Sequence, residues 1–210
     1  MDIINRKVVE YTESFTSQEP DIVRRLVKAS EDGLDYTNMI SGRQVGMLLR
    51  ILVQISGSRR VLEVGTFTGY SALMMADVLP EGGELITIEM NQQYEGISKP
   101  FFAEPPFDKK IFQIMGNALE VIPHIEGTFD LVFLDADKIH YPEYYPILKE
   151  RIKSGGLLIV DNVLWGGAAL DQSTEKAEAI HKLNEIIRTD KDAIQVMLPV
   201  RDGVTLVRFN

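Results

Sequence analysis

The sequence predicts an α/β fold: an open, mostly parallel sheet of about seven strands, preceded by helices and closed at one edge by an antiparallel hairpin. Three observations carry that prediction. After Gly57, short apolar runs alternate with helical stretches, the pattern of a parallel sheet covered on both faces. Before Gly57 the chain reads as helical. Near its end, two β runs flank Arg201-Asp202-Gly203.

Residues 1–56 make the helical part. Asp21-Ile22-Val23-Arg24-Arg25-Leu26-Val27 follows Pro20, and proline is favoured in a first helical turn. Ser41 and Gln44 have the spacing of a capping box ahead of the apolar run 45–55. Strands are then expected at 61–64, 85–88, 111–114, 131–134 and 157–160. Helices are expected near 70–78, 92–102, 118–122, 142–152 and 174–188. Residues 194–200 and 204–209 are the last β runs, and the tight Asp-Gly turn between them reads as a hairpin. Met74 and Met75 follow helical spacing and are assigned to the core.

At 210 residues, 45% of them apolar, the chain suits one domain with a single large core. We read 1–210 as that domain, with a helical cap over 1–56 and the sheet core over 57–210. No apolar run is long enough for a membrane span and the N-terminus lacks a signal-peptide pattern, so a soluble cytoplasmic protein is expected. The absence of cysteine excludes disulfides, thiolate zinc sites and cysteine nucleophiles. With 31 acidic and 22 basic residues the net charge is −9, which disfavours nucleic acid as a partner.

In open α/β sheets function collects at the carboxyl ends of the strands, near the point where strand order reverses. The first strand runs into Glu63-Val64-Gly65-Thr66-Phe67-Thr68-Gly69-Tyr70-Ser71. Gly65 and Gly69 permit a tight turn and close backbone approach to a ligand, and the following helix offers free N–H groups. Glu89 ends the second strand, where an acid can accept hydrogen bonds from both hydroxyls of a ribose. A dinucleotide cradle usually needs G-x-G-x-x-G, whereas this loop has only G-x-x-x-G with the bulkier Thr66-Phe67. S-adenosylmethionine has no phosphate, and its ammonium suits an inward acid such as Glu63. The plain alternative is an ordinary βα turn with Glu63 exposed.

The fourth strand ends in Asp135-Ala136-Asp137-Lys138 and the fifth in Asp161-Asn162. If those strands are neighbours, Asp135, Asp161 and Asn162 emerge at one edge with two carboxylates and an amide carbonyl. Crowded carboxylates repel each other, and a hard divalent cation relieves the repulsion. All-oxygen ligation suits Mg²⁺, Ca²⁺ or Mn²⁺ rather than zinc. Taken singly, each of these residues reads first as a helix cap or turn residue.

Here the chain resembles a known family, the metal-dependent class I O-methyltransferases of the caffeoyl-CoA and catechol type. The resemblance runs from about Met39 to the C-terminus. It rests on Met39-Ile40-Ser41 with Gly46, the stretch from Val61 through Ser71, Phe133-Leu134-Asp135-Ala136-Asp137-Lys138, Asp161-Asn162-Val163-Leu164-Trp165, and Leu198-Pro199-Val200-Arg201-Asp202-Gly203. It implies a Rossmann-like class I methyltransferase fold, S-adenosyl-L-methionine as cofactor, a divalent cation with Mg²⁺ preferred over Ca²⁺ or Mn²⁺, and a homodimer. It also implies residue roles. Met39 and Ser41 line the cofactor site. Glu63, Ser71 and the backbone of Gly65 and Thr66 hold the methionine end. Glu89 takes the ribose, Ala118 lies at the adenine, and Asp135 and Asp137 touch the cofactor. Asp135, Asp161 and Asn162 bind the metal, and Lys138, beside Asp135, matches the catalytic lysine. Plant members carry Asn after the tryptophan, where this chain departs with Gly166-Gly167.

The chemistry so implied starts from a phenol, whose pKa of about 10 leaves little ionised at neutral pH. A dication favours the phenolate, and Lys138 takes the proton if the cation lowers its own pKa. A catechol-like small molecule is the expected acceptor. Alternatives are a tRNA 5-hydroxyuridine O-methyltransferase, a non-catalytic S-adenosylmethionine-binding protein and, last, a nicotinamide oxidoreductase. Lys138 otherwise reads as an exposed lysine pairing with Glu143. His140 reads as a surface residue near the site, and Trp165 as acceptor wall or packing. Tyr141 is the tyrosine best placed to touch substrate, ahead of Tyr144 and Tyr145.

Overall fold

The computed structural model describes residues 5–210. The helical part expected from Met1 therefore includes residues 1–4, which lie outside the described ones. Three helices lead: α1 (Arg6–Ser14), α2 (Asp21–Gly33) and α3 (Gly42–Ser56). Pro20 sits at the N-cap of α2, one residue earlier than a first-turn proline. The capping box expected at α3 does not form. Ser41 has helical φ and ψ and makes no capping bond. Its hydroxyl instead donates to Asp135 Oδ2 at 3.4 Å, and Gln44 turns to Thr12 on α1.

The alternating region follows the expected order: β1 (Arg60–Val64), α4 (Tyr70–Ala76), β2 (Glu84–Glu89), α5 (Gln92–Phe102), β3 (Ile111–Met115), α6 (Ala118–Val121), β4 (Phe129–Leu134), α7 (Tyr141–Lys149), β5 (Ile152–Asp161) and α8 (Glu175–Thr189), then β6 (Ala193–Leu198) and β7 (Val204–Phe209). Thr174 caps α8, its hydroxyl accepting from the Ala177 N–H at 3.2 Å. Two boundaries differ from expectation. Helix α7 stops at Lys149 because Ile152 already pairs with Phe129 as the first residue of β5. The hairpin loop has five residues, 199–203, since Leu198 pairs with Val204, rather than the three residues 201–203 expected.

The sheet order is β3-β2-β1-β4-β5-β7-β6, with β7 antiparallel to both β5 and β6. Successive residues along a strand face opposite sides, so each buried strand feeds two cores. Leu62, Val64, Val132 and Leu134 pack with α7 and α8 on one face. Val61, Leu131 and Phe133 pack with α2, α3 and α4, including the wholly buried Met74 and Met75, on the other. Each such side chain contributes about 1.5–3 kcal/mol by leaving water. Chain direction across the sheet reverses between β1 and β4, which marks where a cleft should open. No helix among the described residues is long and apolar enough to cross a membrane.

Candidate active site

Val64 lies opposite Leu134, and Leu134 opposite Val160. The next residues, Gly65, Asp135 and Asp161, therefore leave the sheet side by side. A cleft of ≈ 730 Å³ opens at this edge. Every predicted site residue except Glu63 lines it: Met39, Ser41, Gly65, Thr66, Ser71, Glu89 and Ala118, together with Asp135, Asp137, Lys138, Asp161 and Asn162.

The glycine turn has a reason that the sequence did not reveal. Gly65 has φ +98, and a Cβ there would overlap the backbone of Asp135. The residue is glycine because the β1 and β4 exits nearly touch. Phe67, at φ +49, directs its N–H to Glu89 Oε2 at 2.8 Å, while Glu89 Oε1 accepts from the N–H groups of Met90 and Asn91 at 2.9 and 2.8 Å. Glu89 is thus fixed at the cleft by three backbone donors, and its remaining lone pairs suit a diol. The loop between α2 and α3 brings Met39 and Ser41 to the cleft and is tied down where Tyr36 Oη meets Tyr94 Oη at 2.6 Å.

Glu63 is neither exposed nor a lining residue. It is wholly buried behind the wall supplied by Gly65 and Ser71. Thr87 donates to its Oε2 at 2.5 Å, and Oε1 has no partner among the described residues. Burial pushes its carboxyl up to about 8, against the pull of the Ser71 and Thr87 hydroxyls. An orphaned, proton-hungry carboxyl behind this wall fits a cationic group bound in front of it. Between about 4.5 and 8 the folded chain holds a proton here that the unfolded chain has released, so stability from Glu63 is lost as pH rises through about 8. Replacing Glu63 with Gln is expected to remove that loss. Melting temperatures of the ligand-free protein across this range check it: wild type should fall more steeply than the variant, and parallel curves would refute the assignment.

Lys138 is buried rather than exposed, and it does not pair with Glu143. Its Nζ donates to Asp135 Oδ1 at 2.6 Å and to Tyr141 Oη at 2.8 Å. Tyr141 is fully buried and off the cleft, with its hydroxyl near the Leu134 and Asp161 carbonyls at 3.3 and 3.1 Å. It therefore holds Lys138 rather than reaching the cleft, and Tyr144, not Tyr141 as expected, takes the lining position. Asp161 is nearly buried, and burial followed by the Asp135 charge pushes its carboxyl up to about 7. Asn162 stands at φ +59, and its side-chain amide makes no hydrogen bond among the described residues. No three His, Cys, Asp or Glu side chains converge as a metal cluster among the described residues. The expected set contains only two such carboxylates, its third donor being an amide. Two crowded carboxylates and a free amide oxygen fit a hard cation.

His140 lines the cleft and its Nδ1 lies 2.6 Å from Asp137 Oδ2. Trp165 both lines the cleft and packs on the core, at φ +48, with Lys176 Nζ 5.6 Å from its ring centroid. Gly166 follows at φ +61, and a Cβ there would meet nothing within 4 Å. Sequence reasoning passed over Phe67, Tyr94, Lys176 and Arg201, all of which reach the cleft. Only Phe67 and Arg201, adjoining the two turn motifs, carried a signal.

This sheet order, with an antiparallel edge and a glycine turn after β1, defines a Rossmann-like methyltransferase fold. The O-methyltransferase family profile matches residues 13–209. A probable caffeoyl-CoA O-methyltransferase of Arabidopsis thaliana is 33% identical over 208 residues, covering 93% of this chain and 89% of that protein. The caffeoyl-CoA O-methyltransferase of Petroselinum crispum is 31% identical, covering 93% and 86%. The crystal structure of the O-methyltransferase TomG from Streptomyces achromogenes, involved in tomaymycin synthesis and solved with SAM, superposes with a TM-score of 0.87 at 28% identity, covering 97% of this chain and 96% of that one. The chain belongs to the O-methyltransferase family, with caffeoyl-CoA O-methyltransferase-like relatives.

Proposed function

We propose that this O-methyltransferase moves a methyl group from S-adenosylmethionine to a hydroxyl of a catechol-like small molecule held on a divalent cation, Mg²⁺ first. One observation carries the reading: Asp135, Asp161 and Asn162 share a cleft with a buried lysine, beside the Gly65 turn. The SAM complex of TomG supports the choice of donor. The net charge of −9 weighs against a tRNA acceptor.

When bound, S-adenosylmethionine would supply a methyl on a positively charged sulfur, and a divalent cation, which Asp135, Asp161 and Asn162 would hold, would favour the ionised hydroxyl. The chain's own residues position the reactants. Glu89 would hold the ribose, and the Gly65–Thr66 backbone and Ser71, which lie in front of buried Glu63, would hold the amino-acid end. Trp165 and Tyr144 wall the acceptor ring. Lys138 Nζ, steadied by Asp135 and Tyr141, would receive the proton of the reacting oxygen as a free amine, having released its own proton to solvent once a bound dication replaces it as the counter-charge of Asp135. Orientation of two bound reactants can supply about 7–11 kcal/mol.

Turnover of catechol with labelled methyl donor is expected to vanish in EDTA and to return on Mg²⁺ addition. Full turnover in chelator would remove the cation from the reaction. No methyl transfer to any hydroxyl acceptor, despite tight S-adenosylhomocysteine binding, would remove the catalytic reading.

A further inference from the structure

The 199–203 loop does more than reverse the chain. Its two charged residues reach two different segments at the cleft, 40–41 and 165–166. The Arg201 guanidinium donates to the carbonyl of Ile40, at 3.0 Å, and to that of Ser41, on the loop that brings Met39 and Ser41 to the cofactor end. It occupies the space above Gly42, where any side chain would overlap it. The Asp202 carboxylate accepts the N–H of Gly166, beside Trp165 on the acceptor end. The same loop holds that segment by its backbone: Val163 N–H to the Gly203 carbonyl at 3.2 Å, and Leu164 N–H to the Asp202 carbonyl at 3.0 Å. A Cβ on Gly203 would overlap Leu164, so the two segments are seated in close contact. Neither Arg201 nor Asp202 makes an ion pair among the described residues, and the side-chain hydrogen bonds of both go to backbone. Arg201 itself stands at φ +51, a conformation costly for a residue with a Cβ.

We infer that Arg201 and Asp202 are a pair of positioning residues, a brace that sets the cofactor wall through Ile40–Ser41 and the acceptor wall through Trp165–Gly166. The inference rests on the proposed function for which wall is which. Each residue controls one wall, so their replacements should separate. Trp165 is the only tryptophan in the chain, which makes its fluorescence a report on the acceptor wall alone.

The test compares Arg201→Met and Asp202→Ala with the wild-type chain, using S-adenosylhomocysteine binding by calorimetry and acrylamide quenching of Trp165. Arg201→Met should weaken S-adenosylhomocysteine about tenfold, the scale of a lost hydrogen bond from a charged group, with Trp165 quenching near wild type. Asp202→Ala should leave that affinity within about twofold and raise Trp165 quenching about twofold, with a matching rise in the catechol KM. Arg201→Lys and Asp202→Asn retain a donor and an acceptor respectively, and each should recover most of the wild-type value; a merely structural role predicts no such split and no such rescue. Equal effects of both variants on both readouts, or no effect in folded protein, would overturn the brace. A wild-type chain that binds no S-adenosylhomocysteine would overturn the proposed function instead, and Trp165 quenching in Asp202→Ala would still decide the acceptor arm.

Discussion

Replacing Lys138 with Met is expected to lower kcat by about 10²–10⁴-fold while S-adenosylhomocysteine affinity stays within about twofold. Met retains the apolar stem and removes only the amine, which matters at a site with 7% exposure. The amine is held from two sides, by Asp135 Oδ1 and Tyr141 Oη, and so is aimed rather than mobile. It is also the internal counter-charge of Asp135 and draws the Asp161 carboxyl down. Its removal should therefore tighten divalent-cation binding even as turnover collapses. Breaking a buried pair costs about 3–5 kcal/mol when one charge is left alone, so melting temperatures with and without Mg²⁺ accompany the kinetics. Turnover equal to wild type in a folded variant would reject Lys138 as the proton acceptor. A fall in kcat without tighter cation binding would place the lysine in chemistry but not in the charge balance of the carboxylates.

The second large effect concerns Asp161. Without a cation its carboxyl is pushed up to about 7, first by burial and then by Asp135. A cation must displace that proton, so its apparent affinity should fall about tenfold for each pH unit below about 7 and level off above it. Stability moves the other way. The folded value lies above the ordinary 3.8, so the stabilising contribution is complete below that value and is lost as pH climbs through about 7. The cation-free protein should thus melt lower at pH about 8 than at about 6, and saturating Mg²⁺ should close the gap. Asp161→Asn is expected to flatten the Asp161 part of this trend and to lower turnover at least about 10²-fold. Glu63 contributes a slope of the same sign, so the Glu63→Gln background isolates it. A pH-independent Mg²⁺ affinity, or an Asp161→Asn variant with wild-type turnover, would exclude the carboxylate as a ligand.

The strands were legible because parallel, doubly covered strands are near-continuous apolar runs, as in Leu131-Val132-Phe133-Leu134. The site was legible because polar residues directly after such runs must emerge at one edge, as Asp135 and Asp161 do. What stayed hidden depended on contacts between distant segments. Ser41 looked like a cap until Asp135, 94 residues away, offered a different partner. Tyr141 and Tyr144 are both aromatic and close in sequence, and only helix phase decides that one is sealed in and the other reaches the cleft. Glu63 read as a contact residue, whereas it stands behind the wall, since its strand position places it on the side packed by α4. The five-residue hairpin loop escaped because Asp-Gly signals a turn without stating how many residues it spans.

Gly65 and Gly166 stand in contrast, the first enclosed by backbone and the second open. A methyl group at 65 would push against the chain at Asp135 and so disturb the exits of β1 and β4 together. At 166 the left-handed backbone tolerates Asn or Asp among bulkier residues, and the volume beyond it is empty. Under the proposed function, a side chain placed at 166, beside Trp165, is expected to alter acceptor preference while leaving the Gly65–Asp135 contact undisturbed.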